Sequence, residues 1–348
     1  MQAEPVAISG MSGSGMASAM ERRQVGLYLL AIAAGAAVGW AVPAAGDPLE
    51  HAISPVLGLL LFATFLGIPF SALGRAVRDM RFMAAVLILN FAVVPVVAFG
   101  LSRFVAHERA LLVGILLVLL TPCIDYVIVF SGLAGGASDR LLAAAPLLML
   151  VQMLMLPVFL FAFVGPELAS VIEPEPFLEA LLGLIILPLA LAALTQHWAR
   201  TAAGGRKLME VMKALMVPLM MTTLAVVVAS QFRGVGEEIA SLLAVVPLYA
   251  AFLVLMIPLG IAASRVARLD PRSARAVVFS GATRNSLVVL PLALALPAPL
   301  KLVPLVVVTQ TLVELLCMVV CVKVVPRLVP FSGGASWSAP RAPAPPPG

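Results

Sequence analysis

Apolar runs long enough to approach the thickness of a bilayer follow one another along the chain, separated by short polar segments. A transmembrane helix needs about 20 predominantly apolar residues, and ten stretches come close to that length or exceed it. The ten predicted spans are residues 25–43, 53–74, 82–104, 110–134, 140–165, 177–197, 208–230, 239–263, 274–297 and 300–325. This pattern predicts an all-α polytopic membrane protein with ten transmembrane helices.

The two ends of the chain do not share this pattern. Residues 1–20 are rich in Gly, Ser, Met and Ala, and residues 331–348 are rich in Pro, Ala and Ser. Such segments bury too little apolar surface to offset the entropy lost on folding. We therefore expect two disordered tails on either side of a ten-helix domain at residues 21–330.

Composition agrees with the membrane assignment. Hydrophobic residues make up 62% of the chain and charged residues 11%, against about 25% charged residues in a soluble domain. The net charge of +5 resides mostly in short loops, where Lys and Arg orient spans rather than bind nucleic acid. The three cysteines lie inside apolar runs, which argues for reduced thiols rather than a disulfide framework.

Loop charge predicts the orientation, because cytoplasmic loops carry an excess of Lys and Arg. With the N-terminus inside, sixteen of the 22 basic residues fall in inner segments, four in outer segments and two within spans. We expect a multi-pass plasma-membrane protein with both termini in the cytoplasm.

Matched spacings in the two halves predict an internal repeat. Eighteen residues separate Arg103 from Thr121, and eighteen separate Arg265 from Thr283. Because five spans per half invert the second copy in the membrane, the spacings predict two inverted five-helix repeats at about 25–165 and 177–325.

Polar residues interrupt the fourth and ninth predicted spans at matching places. The first interruption reads Thr121-Pro122-Cys123-Ile124-Asp125, and the second covers residues 281–286. Proline removes a backbone donor and breaks the helix, whereas a charge at mid-bilayer costs about 2.5 to 3.5 kcal/mol on insertion scales and must face a cavity or a partner. Paired broken helices of this kind are typical of the substrate sites of secondary transporters.

Several polar residues near the interruptions are candidates for binding a solute or a coupling ion. Asp125 can carry a proton or hold a cation, and Glu314 in the tenth span is a second candidate for this role. The Arg284 guanidinium can hold an anion or form an ion pair with Asp125, and whether that pair is structural or functional stays open. The predicted substrate-binding residues are Thr121, Cys123, Thr283, Arg284, Asn285 and Ser286.

The three cysteines invite different interpretations. Cys123 at the first interruption can offer sulfur to a thiophilic solute such as arsenic, or can serve as a small hydrophobic residue. Cys317 and Cys321 share a helical face without another soft ligand nearby in sequence, and we interpret them as packing residues. We expect no bound metal and no cofactor. Four further polar residues are interpreted as contacts between helices: Asn90, Gln152, Gln231 and Gln310.

At these residues the chain resembles the bile acid:sodium symporter superfamily and, within it, the arsenite efflux permeases, over essentially all ten spans. Thr121-Pro122-Cys123-Ile124 resembles the cysteine-bearing fourth helix of the permeases, and Leu312-Val313-Glu314 resembles their Leu-Val-Glu. The sodium symporters carry Glu-x-Gly-x-Gln-Asn in the ninth helix, where the Glu and Gln contribute to sodium sites.

Two departures from these family patterns affect the expected coupling. Ser280 and Arg284 stand here at the Glu and Gln of the sodium symporters, and a guanidinium repels a nearby cation. At least one sodium site is therefore expected to be absent. Leu287 stands where the arsenite permeases carry a further ninth-helix glutamate.

The resemblance implies a secondary transporter, and two substrates remain in view. The leading hypothesis is efflux of arsenite or antimonite in exchange for protons rather than sodium. The alternative is a cation-coupled symporter of a small organic anion held by Arg284. An intramembrane enzyme is disfavoured, because a protease needs paired aspartates or a zinc motif and Asp125 stands alone. A sensory or structural role is disfavoured as well, because two polar broken helices are costly in a membrane and would then have no solute to bind.

Overall fold

The computed structural model describes residues 24–42, 44, 46–67, 79–124, 126–165 and 182–331, and the regular elements of these residues are helices. In chain order the helices are α1 Gln24–Ala41, α2 Gly46–Gly67, α3 Met80–Ile88, α4 Val94–Ser102, α5 Arg109–Leu119, α6 Tyr126–Leu133, α7 Ser138–Val164, α8 Leu187–Thr201, α9 Ala203–Glu237, α10 Ile239–Val266, α11 Pro271–Ala282, α12 Ser286–Leu294 and α13 Val303–Leu328. A π-helical turn at Leu89–Val93 joins α3 to α4, and another at Leu182–Ile186 leads into α8.

Among the described residues, six helical stretches are long and apolar enough to cross a membrane, which makes this a multi-pass membrane protein. They are Pro48–Gly67, Met80–Val105, Leu147–Val164, Ala203–Phe232, Ile239–Val266 and Val303–Leu328. Two shorter apolar helices are Gly26–Ala41 and Arg109–Leu119. The arrangement of ten spans in two inverted repeats stays a prediction.

The predicted tails fall almost entirely outside the described residues. Phe331 alone is described, and its ring lies 4.0 Å from the guanidinium carbon of Arg275. That guanidinium also donates to the carbonyl of Ala134 at 2.7 Å and to that of Val329 at 3.0 Å. Arg275 therefore ties the end of α13 to the turn after α6.

Prolines and caps explain several of the helix starts. Proline stands in the first turn of α11 and α13, where its missing N–H leaves no acceptor without a donor. Asp270 precedes α11 and accepts hydrogen bonds from the main-chain N–H groups of Arg272 and Ser273. This side chain thereby satisfies two of the donors that a helix start leaves free.

The helices pack in two groups. In the first group α9 contacts α1, α2 and α8, and α2 also contacts α8, whereas α3 to α7 and α10 to α13 form the second group. The groups meet where α9 contacts α13 and where α2 contacts α12. Within the second group α5 approaches α13 closely, because a Cβ added at Gly114 would lie only 2.7 Å from the Cβ of Val306.

Arg140 links three elements at one end of the second group. Its Nη1 lies 2.7 Å from Asp79 Oδ2, 3.6 Å from Asp270 Oδ2 and 2.8 Å from the hydroxyl of Ser273. Burial raises the pKa of Asp270, but hydrogen bonds from Ser273 and Arg272 and the charge of Arg140 outweigh it and lower the pKa below its ordinary value. The ends of α3, α7 and α11 are therefore held together by charge.

Candidate functional site

The first interruption separates α5 from α6. In a continuous helix the N–H of Cys123 would donate to the carbonyl of Leu119, four residues earlier. Here α5 ends at Leu119, and the Cys123 N–H donates to the carbonyl of Thr283 at 3.4 Å instead. Pro122 has no N–H to continue the helix. The chain therefore leaves the helix at this point, and the Leu119 carbonyl is available to another donor.

The second interruption separates α11 from α12 in the same way. Asn285 would donate from its N–H to Gly281 in a continuous helix, but donates to the carbonyl of Thr121 at 2.9 Å. Its side-chain oxygen accepts from the N–H of Val288 at 3.1 Å and thereby caps α12. A polar side chain at the break thus begins the next half-helix, as expected of an N-cap asparagine.

The two interruptions contact each other in a symmetric antiparallel bridge centred on Pro122 and Arg284. Cys123 pairs with Thr283, and Asn285 pairs with Thr121, so each break satisfies main-chain groups of the other. The two threonine hydroxyls also match, because each donates at 2.8 Å to the carbonyl four residues earlier. Satisfying backbone groups in this way is what permits irregular chain inside a membrane protein.

The Arg284 guanidinium lies fully buried among oxygen acceptors. Its Nη2 donates to the carbonyls of Ser280 at 2.7 Å and Gly281 at 2.9 Å and to the side-chain oxygen of Asn90 at 2.8 Å. Its Nη1 donates to the carbonyl of Leu119 at 3.2 Å. One guanidinium therefore caps the ends of both α5 and α11, where the helix dipole carries partial negative charge.

Three side chains hold this arrangement. Asn90 donates to the hydroxyl of Ser280 at 3.0 Å, which fixes the direction of its amide oxygen toward Arg284. The Phe252 ring lies 5.5 Å from the guanidinium carbon on another side. The Tyr126 hydroxyl donates to the Arg284 carbonyl at 3.0 Å. The π-helical turn after α3, together with α6 and α10, thus contributes to the position of Arg284.

Glu314 on α13 completes the polar centre. The main-chain N–H of Arg284 donates to its Oε2 at 2.9 Å, and Gln310 Nε2 donates to the same oxygen. Only 1% of Glu314 is exposed. A carboxyl group bonded to the backbone of one interruption can couple its protonation to the position of that segment.

A pair of hydroxyl groups lies beside this centre. Ser286 at the start of α12 and Thr311 on α13 are 2.6 Å apart, oxygen to oxygen. Both line a cavity of about 10 Å³ that is otherwise apolar, with Val228 of α9 on the opposite wall. That volume is close to the smallest that holds a single water molecule.

A larger cavity of about 350 Å³ lies further along the same three helices. Gln231, Leu294 and Leu305 line it, and Glu238 and Lys301 place charges at its wall. The successive positions along α9, α12 and α13 that line the two cavities follow one interface between the helix groups. This interface is a candidate route from one membrane surface to Ser286 and Thr311.

The structure brings most of the predicted site residues together. The place where the two interruptions meet, which we will call the crossing, contains Thr121, Cys123, Thr283, Arg284 and Asn285. Ser286 and Glu314 adjoin it. Asp125, the other predicted coupling residue, lies outside the described residues, and its pairing with Arg284 stays a prediction. The described residues contain no group of three metal-ligating side chains.

The structure also adds site residues that sequence reasoning did not assign. Asn90 and Gln310, interpreted as contacts between helices, bind Arg284 and Glu314 directly. Ser280 was named only as the residue that stands at the glutamate of the sodium symporters, and Tyr126 was not named. Tyr126 carries a signal in retrospect, because it is the first residue of the half-helix after the break.

Comparison with known families supports the transporter interpretation. Residues 54–242, more than half of the 348-residue chain, match the Sodium Bile acid symporter family. The matched stretch contains the first interruption and ends before the second. No curated protein sequence matches the chain.

Proposed function

Because the chain belongs to the sodium bile acid symporter family, a family of membrane transporters rather than enzymes, we propose that it exports arsenite or antimonite in exchange for protons. Both acids are small, neutral hydroxides at neutral pH, with a thiophilic central atom. Such a solute needs a soft ligand together with oxygen atoms that exchange hydrogen bonds with its hydroxyl groups.

The observation that carries the proposal is the position of Cys123 at the crossing. Only 1% of Cys123 is exposed, and its main-chain N–H donates a hydrogen bond to the carbonyl of Thr283 in the second interruption. The thiol would form one As–S bond while one arsenic hydroxyl group and the thiol proton leave as water, and water would reverse this step, whereas three thiolates would hold the arsenic permanently. The carrier can therefore release the solute.

The chemistry of the cavity beside the centre suits a hydroxide. Ser286 and Thr311 place two hydroxyl groups against about 10 Å³ of free space, where they can exchange hydrogen bonds with the hydroxyl groups of arsenite. A slight separation of α9 from α12 would admit a molecule the size of arsenite.

A small organic anion remains the second candidate because of the family itself. In that alternative Arg284 would hold the carboxylate. The described geometry disfavours it, since both terminal nitrogens of the guanidinium already donate to protein oxygens. A carboxylate would have to replace these buried hydrogen bonds.

Proton coupling is assigned to Glu314, with Asp125 as the second candidate. Glu314 accepts a hydrogen bond from the main chain of the second interruption. Protonation would remove the charge from this acceptor and weaken the bond to Arg284. The movement of the interruption would thereby depend on proton binding.

The remaining parts of the proposal concern topology. Each helix group draws on both predicted repeats: in the first group α9 packs against α1 and α2, and α8 packs against α2. The bridge pairs the segments that contain the equivalent Thr121 and Thr283. These relationships support ten spans in two inverted five-helix repeats. With the loop charges, they support a plasma-membrane protein with both termini in the cytoplasm.

Uptake into everted membrane vesicles tests the function. Vesicles from cells lacking other arsenite exporters should accumulate arsenite when the pH gradient is acid inside, and a sodium gradient of either direction should have no effect. A bile acid should not compete. Sodium-driven transport of an organic anion without arsenite transport would replace the proposal with the second candidate.

A further inference from the structure

The oxygen atoms around the Arg284 guanidinium form what we will call the oxygen cage: the carbonyls of Leu119, Ser280 and Gly281 and the side-chain oxygen of Asn90. Their distances to the guanidinium nitrogens run from 2.7 to 3.2 Å. Among the described residues, no carboxylate accepts a hydrogen bond from this guanidinium. Within the described part of the chain, this buried guanidinium donates hydrogen bonds only to neutral oxygens, while the charge of Glu314, which accepts from the main-chain N–H of Arg284, acts on it without such a bond.

Three of these oxygens belong to half-helix ends. Leu119 is the last residue of α5, and Ser280 and Gly281 lie in the last turn of α11. Carbonyls at such ends carry the negative pole of the helix dipole, and they coordinate monovalent cations in transporters with broken helices. The absence of a carboxylate from the cage fits a singly charged ion, since divalent cations favour carboxylate ligands.

We infer that the Arg284 guanidinium is a tethered cation that fills a cation-binding cage, and that removing it leaves a site for a monovalent alkali ion. The family name implies sodium as a co-transported ion. The cage has no room for a free sodium ion while the Arg284 guanidinium occupies it. The guanidinium supplies the charge permanently, so the crossing is complete without any ion from solution.

The inference concerns ion binding and does not require arsenite to be the substrate. It is therefore tested without transport. The substitutions are Arg284→Ala and Arg284→Gln, which remove the charge, and Arg284→Lys, which retains it as an ammonium group. Purified proteins are compared in chloride salts of sodium, lithium, potassium and choline at equal ionic strength, by thermal unfolding and by binding of radioactive sodium.

We expect an alkali ion to raise the melting temperature of Arg284→Ala by at least about 3 °C over choline. The wild type and Arg284→Lys should not respond, because a cation already fills the cage. Asn90→Leu combined with Arg284→Ala should abolish the response, since it removes the one side-chain ligand. This double variant is the matched control for a general salt effect.

An Arg284→Ala protein that binds no alkali ion and melts equally in all four salts would overturn the inference. An equal response in the wild type would overturn it as well, because the guanidinium would then not be what excludes the ion. If the alanine variant does not accumulate in membranes, the same comparison is made with Arg284→Gln. Failure of both variants to accumulate in sodium medium also counts against the inference, since a filled cage would preserve the fold.

Discussion

The main-chain N–H of Asn285 donates to the carbonyl oxygen of Thr121 at 2.9 Å, joining two segments that lie in different halves of the chain. With the reciprocal bond from Cys123 to Thr283, a movement of one segment must either break these hydrogen bonds or displace the other segment. A solute bound at one interruption therefore acts on both. The consequences for transport can be measured at Cys123 and at Glu314.

Replacing Cys123 with serine should lower arsenite export about tenfold or more, because the volume is nearly retained while the soft ligand is lost. The measurement is arsenite resistance and uptake into everted vesicles. Cys317→Ser and Cys321→Ser are the controls, since these cysteines lie on α13 away from the bridge and should cost little. Full export by Cys123→Ser would exclude a role for the thiol.

Replacing Glu314 with glutamine should uncouple transport from the proton gradient. The amide oxygen can still accept from the Arg284 N–H, so the fold should persist, but the group no longer binds or releases a proton. Arsenite exchange without a gradient should continue, whereas stimulation by a pH gradient should disappear. Stimulation equal to that of the wild type would move the coupling role to Asp125.

Sequence reasoning located the two interruptions because Pro122 and the polar residues near it conflict with a continuous transmembrane helix. The matched spacings also indicated that Thr121 and Thr283 are equivalent, and the bridge pairs their segments. The direction of the Arg284 side chain could not be predicted in this way. It depends on carbonyl oxygens, which every residue carries, and those that are free are known only once the helix ends are known.

The same reason explains why Asn90 and Glu314 were assigned less precisely. Asn90 was interpreted as a contact between helices, since a sequence does not show which partner a buried amide faces. Glu314 was recognised as a coupling candidate, but its acceptance of a hydrogen bond from the backbone of Arg284 required the folded crossing.

Replacing Gly114 with alanine should destabilise the protein, because the added methyl group would overlap Val306 on α13. Overpacking of this kind costs about 1–3 kcal/mol, and the melting temperature should fall by several degrees. Gly100→Ala is the control, since nothing lies within 4 Å of a Cβ at that position. Combining Gly114→Ala with Val306→Ala should restore part of the loss, and no recovery would contradict the close contact.

The lowered pKa of Asp270 predicts a stability that depends on pH. A carboxyl group whose pKa is lower in the folded state stabilises the protein above its unfolded pKa, near 3.8, and this contribution disappears as pH falls through the lower folded value. Asp270→Asn keeps the cap oxygen but removes the charge facing Arg140. The wild type should melt higher than this variant at pH 7, and the difference should shrink below about pH 4. A difference that is constant over this range would show that the charge facing Arg140 does not contribute to stability.

Reporter fusions test the proposed topology. A fusion after Gly204, in the first turn of α9, should report the cytoplasm, and one after Lys301, between α12 and α13, should report the outside. Equal readouts from the two positions would contradict the ten-span arrangement.

The bridge between the interruptions also sets an order for synthesis. When α5 and α6 leave the ribosome, the partners of the Leu119 carbonyl and the Cys123 N–H have not yet been made, since both lie in residues 283–284. An unsatisfied backbone group in hydrocarbon costs several kcal/mol. The first half of the chain must therefore wait, partly hydrated or shielded by another protein, until α11 and α12 arrive. Assembly of the centre is thus a late, post-insertion event, and a truncated first half should be a substrate for membrane quality control.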